Sequence, residues 1–266
     1  MTGGPVGTFA EPRKQAERDL HDALRGDLKD DGRYHSNKRF YAIGRSNHAF
    51  GRDWLARRCP GKTVLDYCCG DGETALFAAA SGAREARGID ISPVSVETAT
   101  RKARERGFSQ SAVFEVMDAE GTTYPSARFD LIVVGGVLHH LDLDKAYREL
   151  ARLLKPGGEV LCLEALRHNP LIHWYRKATP HLRSEWETAH ILGRAQILEA
   201  RRYFGRVRIE RFFHLATLAA LPLRNTPLFE PALSVLEAVD RGLFKIPGLG
   251  WQAWQAFFTL AEPKRP

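Results

Sequence analysis

The sequence predicts an α/β fold with a mainly parallel sheet, and three features of residues 62–166 support this prediction. Short apolar segments alternate with segments whose apolar residues recur at helical spacing, which is the pattern of strand–helix–strand units. The segment FDLIVV at 129–134 is almost wholly apolar, as is usual for a strand covered on both faces. A glycine-rich turn follows the first apolar segment. Ligands of such sheets bind beyond the carboxyl ends of the strands, so those ends are where we look for chemistry.

The elements of the first half follow in a regular order. Charged residues 12–26 predict a helix that ends at Gly26, and a polar link over 27–37 leads to a second helical segment over 38–58. Strands are predicted at 63–67, 85–91, 112–116, 129–134 and 159–166, and the helices between them at 73–81, 93–107 and 143–154. Ser92 is a good N-cap, and Pro93 suits the first helical position. The turn residues KPGG at 155–158 are expected to separate the last helix from the fifth strand.

The C-terminal third is less regular. Residues 166–192 predict a loop-rich segment with histidine, tryptophan and arginine side chains. A helix is expected over 193–203, a sixth strand over 206–213 and a last strand over 252–262. The leucine-rich residues 215–243 predict helices whose apolar side chains could belong to the core, to a dimer face or to a surface that contacts lipid. The composition leaves these three alternatives open.

Composition excludes several classes of protein. Hydrophobic residues make up 44% and charged residues 27% of the 266 positions, which is typical of a globular chain. No segment approaches the roughly 18 apolar residues of a membrane span, and the start of the chain does not resemble a signal peptide. The net charge of +7 comes from scattered arginines, which fits either an anionic substrate or an arginine-rich composition. Four cysteines without a C-x-x-C pair predict no zinc site and a reducing, cytoplasmic location.

The residues at the strand ends point to a particular ligand. The residues GDGETA (70–75) match the dinucleotide fingerprint G-x-G-x-x-A, and Asp90 follows about 20 residues later, where a carboxylate accepts from ribose hydroxyls. Asp66 lies directly ahead of the turn, where it would repel a pyrophosphate and attract an ammonium group. Asp118, at the end of the third strand, is placed to accept from an adenine amino group. The three carboxylates favour a cationic ligand that carries an adenosine over a nicotinamide dinucleotide.

Five ordered motifs over about 60–165 carry a family resemblance: VLDYCCGDG, GIDISP, MDAE, FDLIVVGGVLHHL and LLKPGG. Together they resemble the class I S-adenosylmethionine-dependent methyltransferases, in the branch related to the ubiquinone and menaquinone C-methylases (methyltransferase type 11). The resemblance implies a Rossmann-like fold with a seven-stranded, mostly parallel sheet of order 3-2-1-4-5-7-6, an antiparallel last strand and helices on both faces. It also implies S-adenosylmethionine as cofactor and S-adenosylhomocysteine as its product.

The resemblance assigns roles to the strand-end residues. Asp66 is expected to orient the amino end of the methionine moiety, Asp90 to hold the ribose, and Asp118 to read the adenine edge. The other expected cofactor contacts are Tyr41, Cys68, Gly70, Gly72, Ile91, Ala119 and Gly135. Cys68 stands where the family has its first loop glycine. Because cysteine disfavours a positive φ, we expect the turn to differ slightly there.

Two further groups of residues concern the reaction and the acceptor. His139 and His140 are candidates for a general base, with a structural role as the alternative. Aromatic and cationic side chains beyond the fifth strand suit an anionic acceptor with an apolar body, although a solvated connection would also explain them. The candidate acceptor residues are Glu164, His173, Tyr175, Arg176, Arg183 and His190.

The predicted organisation is a tail with cover helices over 1–58, followed by a methyltransferase domain over 59–266 whose acceptor segments are 164–192 and 214–250. The predicted function is methyl transfer to a small molecule, which would be a natural product, a lipid or a quinone-like compound. The alternatives are an RNA methyltransferase and a protein that binds the cofactor without methyl transfer. No metal and no nucleic acid are expected, and peripheral lipid contact and a homo-oligomer are both left open.

Overall fold

A seven-stranded sheet organises the molecule in the computed structural model, which describes residues 11–25, 38–179 and 185–265. The strand order is β3-β2-β1-β4-β5-β7-β6, as predicted. All neighbouring strands are parallel except β7, which runs antiparallel to both β5 and β6. The strands are β1 (Thr63–Tyr67), β2 (Glu85–Asp90), β3 (Ala112–Val116), β4 (Phe129–Gly135), β5 (Leu154–Ala165), β6 (Phe204–Phe213) and β7 (Gln255–Pro263).

Helices pack on both faces of this sheet. They are α1 (Pro12–Arg25), α2 (Lys38–Tyr41), α3 (Arg45–Arg58), α4 (Glu73–Ala80), α5 (Pro93–Glu105), α6 (Leu143–Leu153), α7 (Pro170–Ala178), α8 (Glu185–His190), α9 (Arg194–Glu199) and α10 (Phe229–Leu243). Short 3₁₀ segments lie at Leu138–His140, Ala200–Arg202, Ala216–Leu223 and Leu249–Gln252. In the described part of the chain, every helix is too short or too polar to cross a bilayer.

Central strand β1 shows how the sheet divides the core. All five of its residues are buried, as expected for a strand with helices on both sides. Leu65 and Tyr67 belong to one apolar cluster, whereas Val64 belongs to the cluster on the other face. Alternate side chains of a strand point to opposite faces, so this single strand supports both halves of the core.

Side-chain caps fix where two of the crossover helices begin. Ser92 has extended backbone, and its hydroxyl accepts a hydrogen bond from the Ser95 backbone N–H at 3.0 Å, as predicted for the start of α5. Asp142 does the same for α6, since its carboxylate accepts from the N–H groups of Asp144 and Lys145. These helix starts position the loops that leave β2 and β4, which are loops of the candidate site.

The structure differs from the sequence prediction in four places. The helical segment over 38–58 is interrupted at 42–44, where the Gly44 N–H donates to the Tyr41 carbonyl in a turn. The KPGG residues do not separate α6 from β5 but lie inside β5. They interrupt its regular pairing with β4, since Phe129 pairs with Leu154 and the next pair is Leu131 with Glu159. Residues 166–192 contain helices α7 and α8, and β7 begins at Gln255, after a 3₁₀ turn, instead of at 252. The predicted link over 27–37 lies outside the described residues.

Gly72 provides a test of close packing beneath the turn after β1. A Cβ atom at this position would lie 2.7 Å from the Cβ of Ala99 and from the ring of Phe114, and its φ is +80°. Gly107 has a similar φ of +77°, but a Cβ atom added there would have no atom within 4 Å. We expect Gly107→Ala to cost about 1 kcal/mol for backbone strain, and Gly72→Ala to cost about 1–3 kcal/mol more for the clash.

The free energy of unfolding in urea, measured for both glycine variants beside the parent chain, checks this expectation. Equal losses for the two variants would show that the layer of Ala99 and Phe114 yields to the added methyl group.

Candidate active site at the carboxyl ends of the strands

A cavity of about 740 Å³ opens at the carboxyl ends of the central strands. This volume lies in the range of about 300–1,000 Å³ that is usual for small-molecule sites. Loops that follow β1, β2, β3 and β4 form one side, and residues of α1, α2, α7 and the start of β7 complete it. The strand-end lining includes Cys68, Cys69, Gly70, Asp71, Asp90, Ile91, Asp118, Ala119, Glu120, Gly135, Gly136, Val137, His139 and His140.

The turn after β1 keeps the conformation that glycine would adopt. Cys68 has a φ of +59°, and Gly70 and Gly72 also have positive φ values. The expectation that a cysteine would alter this turn is therefore wrong. Hydrogen bonds hold the strained residue in place: the Cys69 N–H donates to the carbonyl of Ile89 on β2 at 2.7 Å, and the Gly70 N–H donates to Asp90 at 2.8 Å. Cys68 and Gly70 line the cavity, whereas Gly72 packs beneath it.

Asp66 lies below the turn instead of in the cavity wall. Its carboxylate is almost fully buried and accepts a hydrogen bond from the Ala75 N–H at 3.1 Å. Burial raises the pKa of Asp66 to about 8, and the nearby Asp90 and Asp71 add to this effect. The carboxyl group of Asp66 is therefore mostly neutral at pH 7.

Asp90 and Asp118 both lie in the cavity wall, but in different surroundings. The two oxygens of Asp90 accept from the N–H groups of Gly70 and Ser92, at 2.8 and 2.9 Å, and this fixes the carboxylate at the end of β2. Asp118 lies 2.8 Å from the ammonium group of Lys14 on α1. The residue that the sequence assigns to the adenine edge is thus paired with a lysine of the N-terminal helix.

Glu164 does not line the cavity but lies beneath the segment after β4, which does. This carboxylate, on β5, is fully buried and accepts hydrogen bonds from the backbone N–H groups of Val137 and Leu138, at 2.9 and 2.7 Å. The Nδ1 atom of His139 lies 2.8 Å from its other oxygen. In the tautomer that donates from Nδ1 to this oxygen, the Nε2 atom of a neutral His139 is an acceptor. The sequence predicted Glu164 as an acceptor-binding residue, and the structure instead gives it the place of a positioning residue for His139.

The side chain of His140 contacts α1, whereas that of His139 contacts Glu164 on β5. Its Nδ1 atom lies 3.0 Å from a carboxylate oxygen of Glu17, and its ring centroid is 5.7 Å from that of His21. Burial by itself would lower the pKa of His140, but the hydrogen bond with Glu17 and the negative charges of Glu17, Glu187 and Glu164 together outweigh burial and raise it. The two neighbouring histidines therefore have separate carboxylate partners, one from the sheet and one from α1.

Two of the predicted acceptor residues line the cavity in the described part of the chain. Tyr175 and Arg176 on α7 line the wall, and the guanidinium of Arg176 donates to the Leu166 carbonyl at 3.0 Å. His173 is on the exposed face of the same helix. His190 stacks on Trp186 with a ring separation of 3.7 Å, outside the lining. Arg183 lies outside the described residues.

Several lining residues were not predicted from the sequence. Helix α1 contributes Arg13, Lys14 and Glu17; Gln255, the first residue of β7, and Trp254, directly before it, also line the cavity. Tyr41 was predicted and does line the cavity, with 58% of its surface exposed and its ring 6.3 Å from that of Trp254. A charged helix was recognised in the sequence, but nothing local indicates that its charges turn inward. Trp254 looked like an ordinary residue of the last strand.

The chain is similar in sequence to known methyltransferases. Residues 64–158 match the family described as a methyltransferase domain. The chain is 38% identical over 112 residues to the 27-O-demethylrifamycin SV methyltransferase of Amycolatopsis mediterranei, which covers 41% of each chain. It is 33% identical over 123 residues to the demethylmenaquinone methyltransferase of Bacillus velezensis, which covers 44% of this chain and 51% of that one. The match thus spans about two fifths to one half of these curated relatives.

Solved structures extend the likeness to the whole fold. A geranyl diphosphate C-methyltransferase of Streptomyces coelicolor superposes with a TM-score of 0.63 at 17% identity, over 98% of this chain and all of that chain. The [4+2]-cyclase SpnF superposes with a TM-score of 0.59 at 22% identity, over 97% of this chain and all of that chain. At these identities the superpositions establish a shared fold and nothing further.

The raised pKa of Asp66 predicts how stability depends on pH. The folded chain keeps a proton on this carboxyl between about pH 4 and 8 that the unfolded chain releases, so the free energy of unfolding falls as pH rises through this range. Asp66→Asn removes the titration and keeps an oxygen that accepts from Ala75. We expect the variant to be more stable than the parent by more than about 1 kcal/mol at pH 8, and by much less at pH 5.

Urea unfolding at the two pH values measures this difference. Asp53→Asn, a substitution of an exposed carboxylate on α3, is the control and should show no such divergence. A constant difference between Asp66→Asn and the parent would show that Asp66 does not titrate in this range.

Proposed function

Because residues 64–158 carry the methyltransferase domain of the class I, S-adenosylmethionine-dependent family, we propose that this protein transfers a methyl group to a small-molecule acceptor. The observation that carries the proposal is the cavity itself. It brings a glycine turn, a fixed ribose-type carboxylate and an oriented histidine to one edge of the sheet. The family match covers residues 64–158 alone, so the proposal for the whole chain also depends on the geometry of the cavity.

The residues on the β1 and β2 side suit an adenosyl cofactor. Asp90 is held by two backbone N–H groups and keeps lone pairs that can accept from ribose hydroxyls. Gly70 and the backbone of Cys68 let a ligand approach the turn closely. Asp66 is a buried acid that an ammonium group near the turn would bring into its charged form. Lys14 can remain with Glu120, at 2.9 Å, when Asp118 accepts from an adenine amino group.

The chain supplies alignment and a proton acceptor. S-adenosylmethionine would bring a methyl group on a sulfonium, which is already a good leaving group, so the protein mainly has to align nucleophile, carbon and sulfur. We infer that Nε2 of His139 removes the proton of an O–H or N–H nucleophile. Glu164 holds the imidazole in the required tautomer and stabilises the imidazolium that forms.

The opposite wall suits an acceptor with an apolar body. Tyr175 packs on Phe40 with a centroid separation of 4.7 Å, and Phe40 packs on Trp254 at 5.5 Å. Arg176 adds a cation to this aromatic wall, which suits a carboxylate, phenolate or phosphate on the acceptor. The names of two relatives give demethylrifamycin and demethylmenaquinone as the compounds methylated, and we propose an acceptor of this small-molecule kind rather than a nucleic acid.

Cofactor binding is tested first, by calorimetry with S-adenosylhomocysteine. Asp90→Asn should weaken binding about 10- to 100-fold, since it removes charge-assisted hydrogen bonds worth about 1.5–3 kcal/mol each. Glu97→Gln, an exposed substitution on α5, is the matched control and should bind like the parent. Binding of NADH without any response to S-adenosylhomocysteine would overturn the proposed cofactor.

Turnover is tested with labelled S-adenosylmethionine and a panel of phenolic and quinol acceptors. His139→Ala and Glu164→Gln should each lower kcat by about 10²- to 10⁴-fold, and the double variant should lose little more than the single variants. Their affinity for S-adenosylhomocysteine should be unchanged, because neither residue is on the cofactor side. A normal kcat in His139→Ala would rule out His139 as the base but would still be consistent with the proposed methyl transfer. Tight cofactor binding without transfer to any acceptor would favour the non-methylating alternative.

A further inference from the structure

Three potential metal ligands meet at the cavity wall between α1 and the loop after β4. Glu17 and His21 come from α1, and His140 comes from the 3₁₀ turn that follows β4. One ligand atom from each residue lies within 4.8 Å of the other two. All three residues line the cavity, so the space between them opens towards it. Neither the cofactor residues nor the His139–Glu164 pair uses this cluster.

From this arrangement, we propose that Glu17, His21 and His140 bind a divalent transition-metal ion of the zinc class. The three ligands leave at least one coordination position open to the cavity, as in zinc sites that bind water or substrate. An anionic oxygen of a ligand in the cavity can take that position. The site goes beyond the proposed function, because methyl transfer from a sulfonium does not itself need a metal.

The distances between the ligands fit a small divalent ion. A carboxylate oxygen of Glu17 lies 3.0 Å from Nδ1 of His140 and 3.9 Å from Nε2 of His21. In a tetrahedral site with bonds of about 2.0–2.2 Å, ligand atoms lie about 3.3 Å apart. Movements of less than about 1 Å therefore bring the three atoms to coordination distance. An ion at this place would take over the contact between Glu17 and Nδ1 of His140, which are already 3.0 Å apart.

The helix and the 3₁₀ turn that carry the three ligands hold them close to one another. Glu17 and His21 are four residues apart, so they lie on the same face of α1. The carbonyl of His140 accepts a hydrogen bond from the guanidinium of Arg13 at 2.8 Å, which holds the 3₁₀ turn against α1 independently of the cluster. Glu187 extends the negative surroundings, with its carboxylate 3.9 Å from Nε2 of His139. The carboxylates of Glu17 and Glu187 therefore place negative charge beside His140.

The ligand types also predict which ion binds. Two imidazoles and one carboxylate suit zinc, iron, cobalt or nickel, whereas magnesium and calcium prefer oxygen ligands. The site could not be predicted from the sequence, because Glu17 and His140 are 123 positions apart. The expectation of no metal rested on the cysteines, and this cluster contains none.

Metal binding to the intact chain tests the proposal, with ZnCl₂ in calorimetry and CoCl₂ in absorption spectroscopy. The parent should bind one zinc ion per chain, should give the visible bands of a low-coordinate cobalt site, and should not bind magnesium at the same concentration. His21→Ala should weaken zinc binding by at least about tenfold, since loss of even an outer partner of a metal ligand costs that much. Glu17→Gln should weaken it comparably.

His173→Ala is the matched control, because His173 is exposed on α7 and is not part of the cluster. It should bind zinc like the parent. Equal zinc affinity in His21→Ala and the parent, or zinc binding at well below one ion per chain, would overturn the site. Urea unfolding, measured on the same preparations, shows whether each variant is folded, and the affinity for S-adenosylhomocysteine is measured separately. The metal and cofactor measurements are separate, so failure of one proposal is distinguishable from failure of the other.

Discussion

The carboxylate of Asp90 is the contact on which the candidate site depends. It bridges the Gly70 N–H, in the turn after β1, and the Ser92 N–H, at the start of α5. One buried side chain thus joins the exits of the two strands that form the cofactor side of the cavity. The strained φ of Cys68 persists because this bridge and the bond from Cys69 to Ile89 determine the path of the chain on both sides. Asp90 therefore shapes the turn as well as offering lone pairs to a ligand.

Two other buried acids at this edge show that similar residues can have opposite environments. Asp66 has one backbone donor, and burial leaves it mostly neutral. Glu164 has two backbone donors and an imidazole, so both of its oxygens have hydrogen-bond partners. The two acids thus differ in the number of groups that are hydrogen-bonded to them. Asp66 is ready to gain a charge when a cation approaches, whereas Glu164 is a fixed support for His139.

The limits of sequence prediction follow from these contacts. The Ser92 cap and the position of Asp90 at a strand end were predictable, because local periodicity and turn chemistry determine them, whereas the strand order was predicted from the family resemblance. The role of Glu164 was not, since it depends on the pairing of β4 with β5, which brings Val137 and His139 over its side chain. The conformation of Cys68 was mispredicted because intrinsic φ preference gave way to tertiary hydrogen bonds. In each failure a distant contact outweighed a local preference.

Helix α1 is the clearest case of this kind, and its contacts explain how the cavity can be covered and still exchange ligands. Among its described side chains, the two most buried are Lys14 and Glu17, which are charged, and not an apolar residue such as Leu20. They meet Asp118 and His140 across the cavity wall. Charged contacts of this type can be exchanged for contacts with a ligand at little net cost, whereas buried apolar surface cannot. If the proposed cofactor binds with its adenine at Asp118, a helix held in this way can give up that contact and remain attached through its other partners.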